Sequence, residues 1–281
     1  MIKIITDTLS CISPADAERY HIPVIPQIIN FGEQSYREGI DIDHETFLQK
    51  LVTSKELPKT AAPTPEWFKE IFEKMVPDGG TILCIHPSAE LSGTVRSAQV
   101  AAQDFPGADI RIIDTKVIAY PLAVMVLCAA KWAEAGLDAD RIVERLADMS
   151  RRCVIYFLVD TLEYLARGGR IGGASALVGS ILQIKPILTL VDGRTEVFQR
   201  ERTHRRALML MKERLKEQFP GQGEDFGYLN VLNAGVNDQA KDLADELKTT
   251  YGLKDVPIVN VPPAIITHGG PGIIGVAFFT K

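Results

Sequence analysis

The chain has 281 residues, 46% hydrophobic and 24% charged, with a formal net charge of −5. That length suits about two domains of ordinary size, with ample apolar material for a core. The balance excludes a disordered chain, a collagen-like repeat and a coiled-coil rod, and the acidic sign excludes a global basic footprint for nucleic acid. Residues 2–6 form an apolar run ending in Asp7-Thr8 and are predicted as a buried strand. Residues 14–20 are predicted as a short helix and 24–29 as a second extended run. Asp43 can N-cap a helix over 45–51, and Thr64-Pro65 places a cap and a first-turn proline before a helix over 66–75. A strand over 81–85, a loop over 86–91 and a helix over 93–103 follow, then a strand over 110–113 ending in Asp114. Helices are predicted over 122–135 and, capped by Asp138, to about 149. This alternation of short buried strands with helices is the pattern of a parallel α/β sheet.

After the apolar run 154–159 the texture changes. Glycines crowd 168–173, and residues 186–191, Asp192-Gly193 and 195–199 read as a hairpin. A charged helix over 205–219, a strand over 228–232, a helix over 238–251 and strands over 258–261 and 273–279 complete the chain. The second half is therefore expected to be α+β with a mixed sheet, with a boundary near Phe157 giving domains of 1–156 and 157–281. The absence of repeats and long linkers suggests that the two share an interface, a common place for ligands.

Cys11, Cys84, Cys128 and Cys153 stand apart with no C-x-x-C pair, and the last three lie in apolar stretches, which fits buried thiols in a reducing cytosol. The N-terminus lacks a signal-peptide apolar core. The longest nearly uncharged run, 117–130, is too short for a bilayer, which needs about 20 residues. A cytoplasmic protein without an integral membrane segment is expected.

Gly270-Pro271-Gly272-Ile273-Ile274-Gly275 matches G-x-G-x-x-G, but only six residues follow it, so the helix and the acidic residue of a dinucleotide site have no room. A turn before a last strand is the simpler reading, though His268 beside those glycines could hold an anion. Leu91-Ser92-Gly93-Thr94 lies between a strand and a helix. Ser92 there can be an N-cap, an anion-binding hydroxyl beside helix-start N–H groups, or a nucleophile. Glu90 and Thr94 stand where a nucleophile elbow needs glycine, which argues against the third. Thr60, in Lys59-Thr60-Ala61-Ala62-Pro63, can face a ligand or simply turn the chain. Asp7 and Asp114 follow strands and can act as acid/base groups or turn caps. Eight basic residues between Arg194 and Lys216 can be a solvated face or steer an acidic partner; the missing aromatic interleaving weakens a nucleic-acid reading. No metal-binding motif is present.

Several segments together resemble the DegV family. Thr6-Asp7-Thr8 is similar to its opening T-D-S, and Ser88-Ala89-Glu90-Leu91-Ser92-Gly93-Thr94 to its S-x-x-L-S-G-T loop. The most specific piece runs from Phe157-Leu158-Val159 through Leu162 and Leu165 to Gly168-Gly169-Arg170-Ile171, followed by Lys185-Pro186, Arg202-Thr203 and the terminal His268-Gly269-Gly270-Pro271-Gly272. The resemblance covers nearly the whole chain. It implies two α/β domains, an N-terminal three-layer parallel-sheet domain and a C-terminal α+β domain, with a long-chain fatty acid between them. It also implies the role of fatty-acid-binding subunit of a bacterial fatty acid kinase, in which a separate ATP-binding subunit converts the bound carboxylate to an acyl phosphate. The family's carboxylate-binding threonine, serine and histidine fall on Thr60, Ser92 with Gly93, and His268. Arg167, Arg170 and Arg202 are the residues expected to dock the kinase. No metal or cofactor is implied beyond the fatty acid itself. The family's polar neighbours of the threonine are replaced here by Ala61-Ala62, and Ile118-Ala119-Tyr120-Pro121 is bulkier than the family pattern, which bears on acyl-chain preference.

The chemistry suits such a ligand. Burying methylenes contributes about 0.8 kcal/mol each, so a long acyl tail gains on the order of 10 kcal/mol before the costs of binding. The head must be paired, because a buried unpaired charge is very unfavourable. Hydroxyl, backbone and imidazole donors can do this without a full counter-charge. The competing reading is a serine-dependent hydrolase or acyltransferase using Ser92 with His268.

Overall fold

The computed structural model describes residues 1–54, 56–177, 184–223 and 226–281. The chain divides into two compact units, Met1–Arg151 with Pro262–Ala264, and Arg152–Val261 with Ile265–Lys281.

In chain order the first unit contains β1 (Ile2–Asp7), α1 (Pro14–Arg19), β2 (Val24–Ile25), β3 (Ile28–Phe31), β4 (Gln34–Arg37), α2 (His44–Thr53) and β5 (Lys59–Ala61). α3 (Pro65–Met75), β6 (Thr81–His86), α4 (Thr94–Ala102), β7 (Asp109–Asp114), α5 (Tyr120–Glu134) and α6 (Ala139–Arg152) follow. Its main sheet has the order β2-β1-β6-β7, with every neighbouring pair parallel. β1 and β6 are buried along almost their whole length, as parallel strands covered on both faces must be. Phe68 and Phe72 of α3 pack with Ile5, Ile82, Cys84, Ala98 and Ala101 in one cluster. Burial raises the Cys84 thiol above its ordinary range, so it packs as a small hydrophobe. α5 is apolar up to Lys131 and has ten buried residues, which is why residues 117–130 read as the longest nearly uncharged run of the sequence.

Two local expectations need correction. The extended run over 24–29 is two strands: β2 pairs with β1, whereas β3 joins β4 and β5 in a separate antiparallel sheet. Pro26 lies between them and has no N–H for a continuous ladder. Thr64 precedes α3 as expected but makes no side-chain cap; it hydrogen-bonds the Glu66 carboxylate instead. Asp43 and Asp138 do cap, accepting the Thr46 and Arg141 N–H groups at 2.8 Å each.

The second unit contains β8 (Cys153–Leu158), α7 (Glu163–Arg167), β9 (Lys185–Val191), β10 (Arg194–Glu201), α8 (His204–Gln218), β11 (Gly227–Asn233), α9 (Asn237–Tyr251), β12 (Ile258–Asn260), α10 (Pro263–Gly269) and β13 (Ile274–Phe279). The first residues of α10 cluster with the first unit. The mixed sheet has the order β10-β9-β8-β13-β11-β12, with β11 and β12 parallel and the other pairs antiparallel. β9 and β10 form the expected hairpin; Asp192 and Gly193 take φ of 49° and 80°, the geometry of a type I′ turn. β13 is buried at all six positions, and Ile274, Val276 and Phe278 share a core with Met211 and Leu215 of α8 and Leu243 and Leu247 of α9.

Candidate functional site

In the first unit, β1 and β6 run parallel and end side by side at Asp7 and His86, both fully buried. Such carboxyl ends are where α/β sheets place functional groups. The loop after β6 is held by backbone hydrogen bonds, one to the segment after β7 and two within the loop. The Ser88 N–H donates to the Val117 carbonyl at 2.9 Å, and the Leu91 and Ser92 N–H groups both donate to the Ser88 carbonyl at 3.0 Å. This delivers Ser92, 8% exposed, to the start of α4. Its Oγ lies 2.8 Å from Thr94 Oγ1 and accepts the Thr94 N–H at 3.3 Å. Gly93 is exposed, and a Cβ there would sit only 3.3 Å from Ala62 Cβ, so the missing side chain lets the loop lie against the chain just after β5. Thr60, half-buried on β5, pairs in register with Ile29 of β3. Thr60, Ser92 and Gly93 thus belong to one unit, with Ala62 and Gly93 as the point of approach.

Behind Ser92 lies a buried polar chain that local sequence reading passed over. Gln27, 2% exposed, donates through Nε2 to Thr94 Oγ1 at 3.0 Å and to Asp7 Oδ1 at 3.3 Å. Asp7 Oδ1 also accepts the Leu9 N–H at 2.9 Å, and its Oδ2 faces His86 Nδ1 at 2.7 Å. A carboxylate only accepts, so Nδ1 carries the proton of that bond. Phe68 meets the His86 ring in a T-shaped contact with centroids 5.3 Å apart. Asp7 is therefore a turn cap, one of its two sequence readings, and also the anchor of a wider network. Asp114 is a cap, accepting the Ala89 and Lys116 N–H groups at 3.2 and 3.0 Å. Nearby, Glu38 accepts from Thr8 Oγ1 and from the Ala264 N–H at 2.6 Å; burial pushes its carboxyl up to about 7 against those two bonds.

In the second unit His268, half-buried near the end of α10, lies against the backbone of Gly168, where a Cβ would collide with its Nδ1. The double glycine and the terminal histidine motif therefore meet. Burial, and secondarily the nearby Arg170 guanidinium, hold the His268 imidazole down to about 4, so at neutral pH it is an uncharged donor and acceptor. Arg170 Nη1 donates to the Gly168 carbonyl at 2.7 Å. Arg167 is exposed and pairs with Glu163 at 2.7 Å one helical turn away. Arg202 is exposed just before Thr203, whose Oγ1 accepts the Arg206 N–H and caps α8. Each arginine is thus a surface or half-buried group beside a glycine turn or a helix start.

The family model described as "Uncharacterised protein, DegV family" matches residues 1–281. The chain belongs to the DegV family. A DegV domain-containing protein of Streptomyces coelicolor is 36% identical over all of this chain and 99% of its own length, and one of Clostridium acetobutylicum is 34% identical over all of this chain and 98% of its own. Among solved structures, this DegV chain is similar to a fatty-acid-binding DegV family protein from Thermus thermophilus (TM-score 0.90, 30% identity) and to one from Streptococcus agalactiae (TM-score 0.91, 27% identity), each covering 100% of this chain and 99% of the other. A stearic-acid-binding protein from Eubacterium ventriosum matches with a TM-score of 0.87 at 26% identity, covering 100% of this chain and 99% of its own. Among the described residues of the DegV chain, no helix is long and apolar enough to cross a membrane, and no three His, Cys, Asp or Glu side chains form a cluster able to hold a metal ion.

Proposed function

We propose that this chain binds a long-chain fatty acid and presents its carboxylate to a separate ATP-dependent kinase subunit for conversion to an acyl phosphate. The observation that supports this most is the nearly buried hydroxyl of Ser92 at the start of α4, with β5 alongside, in a chain whose structural relatives are named for fatty-acid binding. A helix start offers N–H groups and the positive end of the helix dipole. In this reading the carboxylate accepts from the hydroxyls of Thr60 and Ser92, the N–H of Gly93 and the neutral imidazole of His268. None of these is a full cation, so the carboxylate is desolvated and paired but keeps nucleophilic electron density. One carboxylate oxygen attacks the terminal phosphorus of ATP held by the kinase, the bond to the bridging oxygen breaks, and ADP leaves. Arg167, Arg170 and Arg202 receive the kinase, whose approach an exposed arginine set steers.

Native mass spectrometry of the purified chain tests the first half: a bound long-chain fatty acid, one per chain, is the expected result. A chain that carries no fatty acid, and that takes none up after delipidation, contradicts the proposal.

A further inference from the structure

The buried chain that ends at Ser92 is directed from Asp7 as far as Thr94, and its last link decides what the serine can do. It begins at Asp7, whose carboxylate accepts from His86 Nδ1, the Leu9 N–H and Gln27 Nε2. Because a carboxylate cannot donate, the side-chain amide of Gln27 must turn its nitrogen toward Asp7. The same nitrogen then gives its second proton to Thr94 Oγ1 at 3.0 Å. Backbone bonds hold Gln27 in that pose: its N–H donates to Thr8 Oγ1 at 3.1 Å and its carbonyl accepts the Glu38 N–H at 2.9 Å. Thr94, fully buried, is therefore an acceptor on one side and has its own proton to place. The oxygen next to it is Ser92 Oγ, at 2.8 Å. Placing the Thr94 proton on Ser92 Oγ, which also accepts the Thr94 N–H, occupies both serine lone pairs. The Ser92 proton is left to point away from the chain.

We infer that Asp7, Gln27 and Thr94 are positioning residues that give Thr94's proton to Ser92 and make Ser92 an obligate hydrogen donor, so that the site takes an acceptor oxygen and holds an anionic one more tightly than a neutral one. This deepens the proposed fatty-acid reading and rests on it for the identity of the ligand; the direction of the chain rests on the Gln27 geometry and on no ligand. It also separates Ser92 from a nucleophile. A nucleophilic serine must hand its proton to a base, whereas here the side chain next to its Oγ is the Thr94 hydroxyl, which is no base. The Asp7–His86 pair, which on its own looks like two-thirds of a catalytic triad, serves as the fixed end of the donor chain: His86 Nε2 has no hydrogen-bond partner among the described residues.

Two measurements decide the inference. The first needs no ligand: neutron diffraction of the deuterium-exchanged full chain locates the hydroxyl deuterons. Deuterium on Thr94 Oγ1 directed at Ser92 Oγ is the expected result, and deuterium on Ser92 Oγ directed at Thr94 overturns the inference. The second compares palmitate with its sixteen-carbon primary alcohol in calorimetric titrations of the delipidated chain. Gln27→Met and Thr94→Val are expected to weaken palmitate about tenfold and to leave the alcohol within about twofold, as loss of a donor to a charged group but not to a neutral one should. Thr94→Ser is expected to restore the wild-type preference. Equal losses for acid and alcohol, or unchanged palmitate affinity in variants that melt like the wild type, overturn it. A wild-type chain that binds neither compound defeats the fatty-acid reading, while the neutron map still decides the direction of the chain.

Discussion

The two units handle polarity in opposite ways around their candidate residues. In the first, Ser92 is backed by side chains with almost no exposure, and order comes from a run of buried hydrogen bonds through Thr94, Gln27 and Asp7. In the second, the charged residues Arg167 and Arg202 stand in solvent, and the inner group, His268, is kept neutral by burial against Gly168 and, secondarily, by the Arg170 charge. One unit gains fixed geometry at the cost of great sensitivity to a missing partner. The other keeps charge at the surface, where it costs little and can meet another protein.

That contrast sets the expected order of mutational effects. Asp7→Ala should be the most damaging, because it strands the His86, Gln27 and Leu9 donors in a dry interior; a loss of about 3–5 kcal/mol in denaturant unfolding is expected. Gly168→Ala comes next. Its backbone is in the ordinary right-handed region, so the cost is crowding against His268 and the Tyr164 carbonyl, about 1–3 kcal/mol, with a displaced His268 resonance as the diagnostic sign.

Two titrating groups sharpen the comparison further. For His268 the folded value of about 4 lies below the ordinary 6.5, so between those limits the unfolded chain binds the extra proton and acid weakens the fold. Glu38 works in the other sense. Its folded value of about 7 lies above the ordinary 4.5, so its contribution is present below 4.5 and is lost as pH rises through 7. Unfolding measured across this range should show His268→Gln reducing the acid loss and Glu38→Gln reducing the loss toward neutrality. The smallest effect on stability is expected for Arg202→Ala and Arg167→Ala, within about 0.5 kcal/mol, because exposed charges and exposed ion pairs contribute little. The same variants should slow acyl-phosphate formation when the kinase subunit is supplied, and an unchanged rate would remove their proposed docking role.

Local pattern carried the fold wherever an element has a strong period or a chemically specific turn. The Asp192-Gly193 hairpin, the buried runs of β1 and β6, and the caps at Asp43 and Asp138 follow from a few adjacent residues. The small sheet of β3, β4 and β5 was not legible, because β4 is Gln-Ser-Tyr-Arg with little burial and so has no apolar alternation. The five-residue helix α7 is too short to show a period. Of the candidate residues, Thr60, Ser92, Gly93 and His268 are named by the family resemblance, while spacing alone leaves their roles open, and the supporting chain is named by neither. Gln27 sits in the apolar run Val24-Ile25-Pro26-Gln27-Ile28, and its partner Thr94 is 67 positions away. A lone amide in an apolar run was the only signal available: a buried glutamine needs partners, but the sequence does not say which.

The claim on which the rest depends is that a fatty-acid carboxylate is held by neutral donors of the first unit. Calorimetric titration of palmitate into delipidated wild type and the Thr60→Ala, Ser92→Ala double variant tests it most directly. A loss of at least about tenfold in affinity with an unchanged melting temperature is the expected result; full affinity in the double variant would contradict it.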